Sequence, residues 1–204
     1  MNKPRLWIPS FLLVWMIVFK VQAADIRYGR VAFERLTVEQ GLSHDIVNCI
    51  LQDRKGFLWF GTLNGLDRYD GFGFTAFQTD PSNPNSPSHP SIEVLAEDPS
   101  GAIWIGTSGG LDRWNRLTGT FEHYRHDPAD STSLSHNTVY SLLYDASGTL
   151  WVGTFGGGLD AFNPKTRTFA HYRHHIRNPS SLSTDKVRAV FEDSKGRLWI
   201  GTED

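Results

Sequence analysis

Four copies of one five-residue string constrain what this 204-residue chain can fold into. They are Leu58-Trp59-Phe60-Gly61-Thr62, Ile103-Trp104-Ile105-Gly106-Thr107, Leu150-Trp151-Val152-Gly153-Thr154 and Leu198-Trp199-Ile200-Gly201-Thr202. Their tryptophans lie 45, 47 and 48 residues apart. A period of this length marks a repeat architecture, in which each unit buries its apolar face against neighbouring copies.

The match extends to both sides of the string. Before each Trp stands Asp, two residues, then Gly: Asp53 to Gly56, Asp98 to Gly101, Asp145 to Gly148 and Asp193 to Gly196. Asp at the head of a tight turn accepts backbone N–H bonds, and Gly at its end takes positive φ. Apolar-rich segments precede the turns (46–51, 92–96, 139–143, 187–191), so each unit contains a hairpin with the Trp string as second strand. A Gly-Leu-Asp step opens a third strand at Gly65, Gly110 and Gly158, and a fourth follows at 74–77, 121–124 and 169–172. A related piece, Phe33 to Leu36, stands near the start.

Four antiparallel strands per period of 45–48 residues is the pattern of a β-propeller, an all-β fold. Within the string, Leu58 and Phe60 point one way and Trp59 the other, which suits a strand sandwiched between blades. Polar loops at 79–90, 126–137 and 174–185 recur with Pro and Ser and are repeat parts rather than linkers. The chain holds three full units and a fourth that runs to Gly201-Thr202-Glu203-Asp204. Propellers close with four to eight blades. About three and a half blades give an incomplete ring, so the expectation is a fragment of a longer protein.

The first residues read differently. Lys3 and Arg5 precede an apolar stretch to Phe19, and Val21-Gln22-Ala23 leads to Ala24-Asp25. This is a basic start, an apolar core and a small-residue cleavage site, so 1–23 is read as a signal-peptide helix and 24–204 as the partial propeller. Cleavage would remove Lys3, Arg5 and Lys20, taking the net charge from −2 to −5. Nothing basic enough for nucleic-acid binding remains. The one cysteine, Cys49, forms no disulfide within the chain and sits in an apolar strand, where it is read as a small hydrophobe.

Repetition also sorts the candidate chemistry. Catalysis needs a residue once, whereas a turn or a blade seam needs it in every unit. Asp53, Asp98, Asp145 and Asp193, and likewise Asp67, Asp112 and Asp160, are therefore read as structural. So are the strand tryptophans, which are assigned to inter-blade core rather than to a carbohydrate platform. His123 and His171, on equivalent fourth strands, are read as exposed polar residues rather than zinc ligands. Asn64, Ser108 and Phe155, in the variable step after Gly-Thr, are the candidates for ligand contact. No catalytic, metal or cofactor site is assigned, and no phosphate loop or nucleophile elbow is present.

The unit Asp-x-x-Gly-x-Leu/Ile-Trp-x-Gly-Thr, followed by Gly-Leu-Asp and an aromatic, resembles the two-component regulator propeller repeat over residues 33–204. The resemblance implies the periplasmic sensor region of a bacterial signalling protein. It also implies a following β-sandwich, a transmembrane helix and a histidine kinase (often hybrid) or diguanylate cyclase output. The expected partners are an extracytoplasmic ligand, with carbohydrate one open class, and the remaining blades and membrane and output domains. A homodimer of the full-length protein is left open. Two other readings stand beside this one: a periplasmic quinoprotein-type propeller enzyme, whose adjacent-cysteine disulfide Cys49 alone cannot supply, and a propeller scaffold for protein–protein interaction.

Overall fold

The computed structural model describes residues 33–204; the expected signal segment lies outside them. Residues 36–204 form one compact unit. Its strands make four blades. Blade 1 holds β1 (Val47–Gln52), β2 (Leu58–Thr62), β3 (Gly65–Tyr69) and β4 (Phe74–Phe77). Blade 2 holds β5 (Ile92–Glu97), β6 (Ile103–Thr107), β7 (Gly110–Asn115) and β8 (Thr120–Tyr124). Blade 3 holds β9 (Val139–Tyr144), β10 (Leu150–Thr154), β11 (Leu159–Asn163) and β12 (Thr168–Tyr172). Blade 4 is the hairpin of β13 (Val187–Glu192) and β14 (Leu198–Thr202). The piece at Phe33 to Leu36 is not a strand; a 3₁₀ turn, Val38–Gln40, follows it, capped by Gly41 at φ 107°.

Within each blade, every strand pairs antiparallel with its sequence neighbour. Across blades, β1 touches β5, β5 touches β9 and β9 touches β13. First strands therefore converge and fourth strands diverge, as blades do around a propeller axis.

The core consists of layers between blades. Trp59 and Leu66 of blade 1 pack with Ile92, Ile103, Ile105, Trp114 and Phe121 of blade 2. Trp104 and Leu111 of blade 2 pack with Val139, Leu150, Val152, Phe162 and Phe169 of blade 3. Each fully buried aliphatic side chain here contributes about 1.5–3 kcal/mol. The indoles meet third-strand aromatics of the next blade: Trp59 lies 4.9 Å from Trp114, and Trp104 lies 5.0 Å from Phe162. Burial falls along the arc. Trp59 and Trp104 are buried, Trp151 is half-buried, and Trp199, on the last strand, is 56% exposed.

The turn aspartates bind the tryptophans directly. The Trp59 indole N–H donates to Asp53 Oδ2 at 2.9 Å, Trp104 to Asp98 at 3.2 Å, Trp151 to Asp145 at 2.8 Å and Trp199 to Asp193 at 2.9 Å. The other carboxylate oxygen accepts turn N–H groups, such as those of Lys55 and Phe57 on Asp53. Burial would raise the Asp53, Asp98 and Asp145 carboxyls, but the indole, hydroxyl, backbone and arginine donors hold them below the ordinary value. The Trp199 indole and the Arg197 N–H hold Asp193 at about 2.

The string glycine is set from two sides, by Cys49, Val94 or Ser141 on the first strand of its own blade and by the next blade. A Cβ on Gly61 would stand 2.7 Å from Ile92 Cγ2, one on Gly106 2.7 Å from Val139 Cγ1, and one on Gly153 2.7 Å from Val187 Cγ1. At Gly201 the nearest atom is Ala189 Cβ, at 3.4 Å. The string threonine closes the following turn: Thr62, Thr107 and Thr154 donate to the carbonyls of Gly65, Gly110 and Gly158.

The Gly-Leu-Asp aspartates fasten the polar loops. Asp67 accepts the Ser43 N–H and hydroxyl, Asp112 the Ser88 N–H, and Asp160 the Ser135 N–H. All three are fully buried. The structure adds a role to the histidines of the outer strands. His123 and His171 stand on outer strands, but their rings are not free. His123 bonds Asp112 through Nδ1 (2.7 Å) and donates to the Pro84 carbonyl through Nε2 (2.9 Å). His171 repeats this with Asp160 and the Ser131 carbonyl. Each ring ties an incoming loop to a buried carboxylate. The Asp112 hydrogen bond, opposed by partial burial and by Arg125, raises the His123 pKa.

Three outcomes follow from these features. Gly106→Ala should cost about 1–3 kcal/mol in chemical denaturation through overpacking, whereas Gly201→Ala should leave stability unchanged. Acid should release the turns. Carboxylates depressed in the fold stabilise above their unfolded value near 3.9, and that stabilisation is lost as pH falls through their folded values. Tryptophan fluorescence should therefore shift below about pH 4, toward the Asp193 value of about 2. Asp67 and Asp160, pushed up by burial, act in the opposite sense. Finally, a neutral imidazole has one proton for two acceptors. The His123 tether is complete below the ordinary value of about 6.5 and is lost as pH rises through its raised folded value. Intrinsic-rate-corrected amide exchange in loop 79–90 should rise over that range in wild type and lose its pH dependence in His123→Ala.

Candidate functional site at the inner strand bulges

Each first strand carries an irregularity at its second residue. Val47 pairs with Thr62 and Cys49 with Gly61, which leaves Asn48 bulged. The same skip leaves Glu93 bulged in β5, Tyr140 in β9 and Arg188 in β13. A bulge re-aims one side chain out of the alternation of the strand. The residue before it stays β-branched in every blade (Val47, Ile92, Val139, Val187), and in blades 2 to 4 it covers the glycine of the preceding blade. A repeated residue thus builds the seam, while an amide, a carboxylate, a phenol and a guanidinium occupy the bulge.

The step after Gly-Thr runs beside these bulges. Leu63, Ser108, Phe155 and Glu203 donate their N–H groups to the carbonyls of Ile46, Ser91, Thr138 and Lys186, at 3.3, 3.3, 2.9 and 2.9 Å. Each acceptor lies two residues before the bulge, so bulge and step side chains form pairs. In blade 2 the Glu93 carboxylate accepts the Ser91 and Ser108 hydroxyls at 2.6 and 2.8 Å. In blade 3 Tyr140 and Phe155 meet edge to face at 5.3 Å. The Arg188 guanidinium of blade 4 stands 4.1 Å from the Tyr140 ring and 4.8 Å from Phe155, and donates to Glu203. Lys186 lies 5.5 Å from the Phe155 ring. The Glu203 hydrogen bond raises the Arg188 pKa further, which keeps the group cationic.

Two of the residues singled out in the sequence, Ser108 and Phe155, belong to this face. Asn64 stands one residue past the step, exposed in the β2–β3 turn, with its N–H donating to Thr62 Oγ1 at 3.1 Å; the equivalent blade 1 residue is Leu63. Asn48, Glu93, Tyr140 and Arg188 escaped the sequence reading. Aligning the first strands as Val-Asn-Cys, Ile-Glu-Val, Val-Tyr-Ser and Val-Arg-Ala would have exposed them as a position of changing chemistry between positions of fixed role. Beside Asn48, the Cys49 thiol is pushed up to about 12 by burial, which makes it an unreactive packing group.

The face offers hydrogen-bonding groups, an aromatic edge and both signs of charge on a rigid frame. Among the described residues, no helix is long and apolar enough to cross a membrane.

Comparison with known proteins agrees with this geometry. The family model for the two component regulator propeller matches residues 41–64, 133–156 and 181–204. Histidine kinase P4 of Formosa agariphila is 38% identical over 79 residues, which are 39% of this chain and 6% of that protein. The crystal structure described as the extracellular domain of the hybrid two component system BT3049 of B. thetaiotaomicron superposes with a TM-score of 0.74 at 32% identity. It covers 83% of this chain and 24% of that one. The extracellular domain of the one component system BT4673 of the same organism gives 0.63 at 25% identity, over 76% and 22% of the two chains. The chain therefore spans a small part of the length of each relative. Three stretches of this chain thus match the two component regulator propeller repeat.

Proposed function

We propose that this chain is a non-catalytic, ligand-sensing part of a bacterial signal-transduction protein, exported to the periplasm, with its output in a kinase or cyclase domain outside the chain. The observation that carries this reading is the bulge face: four different chemistries on equivalent positions of an otherwise repeated frame. A scaffold that only fills space would repeat the bulged residue as it repeats Val47, Ile92, Val139 and Val187. The likeness to extracellular domains of two component systems supports the placement outside the cytoplasm.

Binding would act by mass action. A ligand held between the bulge residues of adjacent blades favours the arrangement of blades that best contacts it, and this bias is what an output domain would read. The chemistry of Tyr140, Phe155 and Arg188 suits a polar ligand with an apolar flat surface, such as a sugar ring.

The test is a thermal-shift screen of the purified chain against neutral and acidic oligosaccharides. A ligand present at a hundred times its Kd should stabilise the fold by about 2.7 kcal/mol. Tyr140→Ala and Arg188→Ala should each weaken that ligand about tenfold, and the unliganded melting temperature should hold. A ligand that stabilises the double variant as strongly as wild type would place binding elsewhere and sink the assignment.

A further inference from the structure

The seam between blades 1 and 2 and the seam between blades 2 and 3 differ at their outer, turn-side end. In the first, Arg116 from the β7–β8 turn fills the seam. Its guanidinium donates to Asp53 Oδ2 at 2.5 Å and to the Gly101 carbonyl at 3.1 Å, and it is almost fully buried. The equivalent residue of blade 3 is Pro164, which has no side chain that can reach across. A cavity of about 240 Å³ opens there instead, lined by Asp98, Arg113, Glu122 and Tyr124 of blade 2 and by Phe162 and Arg167 of blade 3, with Tyr144 beside them.

Arg167 is the unusual member. It has φ 61°, the one positive value at a non-glycine position among the described residues. The matching turn of blade 2 has Gly119 at φ 68°. A left-handed residue with a side chain costs about 1–2 kcal/mol, so the fold itself is better served by glycine. Strain of this kind persists at positions with a function. The Arg167 guanidinium lies over the Tyr124 ring at 5.4 Å and makes no hydrogen bond within the described residues. It stands 3.4 Å from Glu122 Oε2. Arg113, from the other blade, stands 3.7 Å from the same oxygen while it bonds Asp98. Two guanidiniums from neighbouring blades thus flank one partly exposed carboxylate at an aromatic-walled cavity.

We propose that this cavity is a second ligand site, separate from the bulge face, for a small monocarboxylic acid with an aromatic or aliphatic body. The ligand carboxylate takes the place of Glu122 between Arg113 and Arg167, where the guanidinium forks match its planar geometry. The body lies against Tyr124, Tyr144 and Phe162. A phosphate dianion is disfavoured because Asp98 and Glu122 already place two negative charges in the cavity. A cation is disfavoured by the two arginines.

The experiment is titration calorimetry of the purified chain with phenylacetate, hexanoate and the neutral isostere phenylacetamide. Phenylacetate should bind saturably, and phenylacetamide about tenfold more weakly or not at all. Glu122→Gln removes the competing carboxylate and should tighten phenylacetate several-fold. Arg167→Gly should raise the melting temperature, because it relieves the left-handed strain, and yet weaken phenylacetate about tenfold. These opposite signs separate a ligand role from a structural one. Absence of saturable carboxylate binding, equal binding of the amide, or undiminished affinity in Arg167→Gly would overturn the proposal. The Tyr140 and Arg188 variants, which touch neither arginine, should bind phenylacetate as wild type does, so this test and that of the bulge face fail independently.

Discussion

Blade-to-blade approach over a glycine is the constraint on which the rest of the structure depends. Ile92, Val139 and Val187 come within 2.7 Å of where a Cβ on Gly61, Gly106 or Gly153 would stand, and Cys49, Val94 and Ser141 crowd the same point from the glycine's own blade. That closeness lets the inner strands converge, brings each buried indole against aromatics of the next blade, and leaves the turn aspartate to satisfy the indole N–H inside the seam. Remove the approach and the indole, its carboxylate and the third-strand aromatic lose their common geometry together. Close packing of this kind tolerates little change in volume, which is why the string repeats at its glycine while its other apolar positions vary between Leu, Ile, Val and Phe.

Much of the fold was legible because repetition averages out local ambiguity. One Leu-Trp-x-Gly-Thr string reads as any short strand; four in register, each behind an Asp-x-x-Gly turn, define hairpins and their order. The piece at Phe33 to Leu36 misled because resemblance to a fourth strand was judged on four residues without a turn or partner before it. The tethering role of the histidines was hidden for a different reason. Their partners, Asp112 and Asp160, lie eleven residues away on the neighbouring strand, and the loop carbonyls of Pro84 and Ser131 lie about forty away. Pairings of that range appear once strand register is known. The bulges were hidden likewise, since a one-residue skip leaves no mark in an apolar strand whose partner has not been placed.

The distribution of chemistry follows from the same geometry. Groups inside a seam face two blades and are held by both, so Asp53, Trp59 and Gly61 recur with their surroundings. Bulge residues face one neighbour and open space, and the turn between third and fourth strands faces a seam only at its end. These two places are free to differ between blades. Asn48, Glu93, Tyr140 and Arg188 differ at the first, and Arg116 and Pro164 at the second. A propeller of this kind thus has interior positions under shared constraint and two sets of positions where individuality is inexpensive.

The covering of Trp59 by blade 2 and of Trp104 by blade 3 has a kinetic consequence. Each indole is covered by strands that come later in the chain, so a blade's own hairpin forms locally but its apolar face waits for the next blade. Contacts along a strand pair close short loops, whereas seam contacts such as Gly61 with Ile92 span about thirty residues and close later. Repeat proteins couple nearest neighbours in this stepwise way. Folding that starts at the amino terminus then advances blade by blade, each new seam covering the indole of the blade before it.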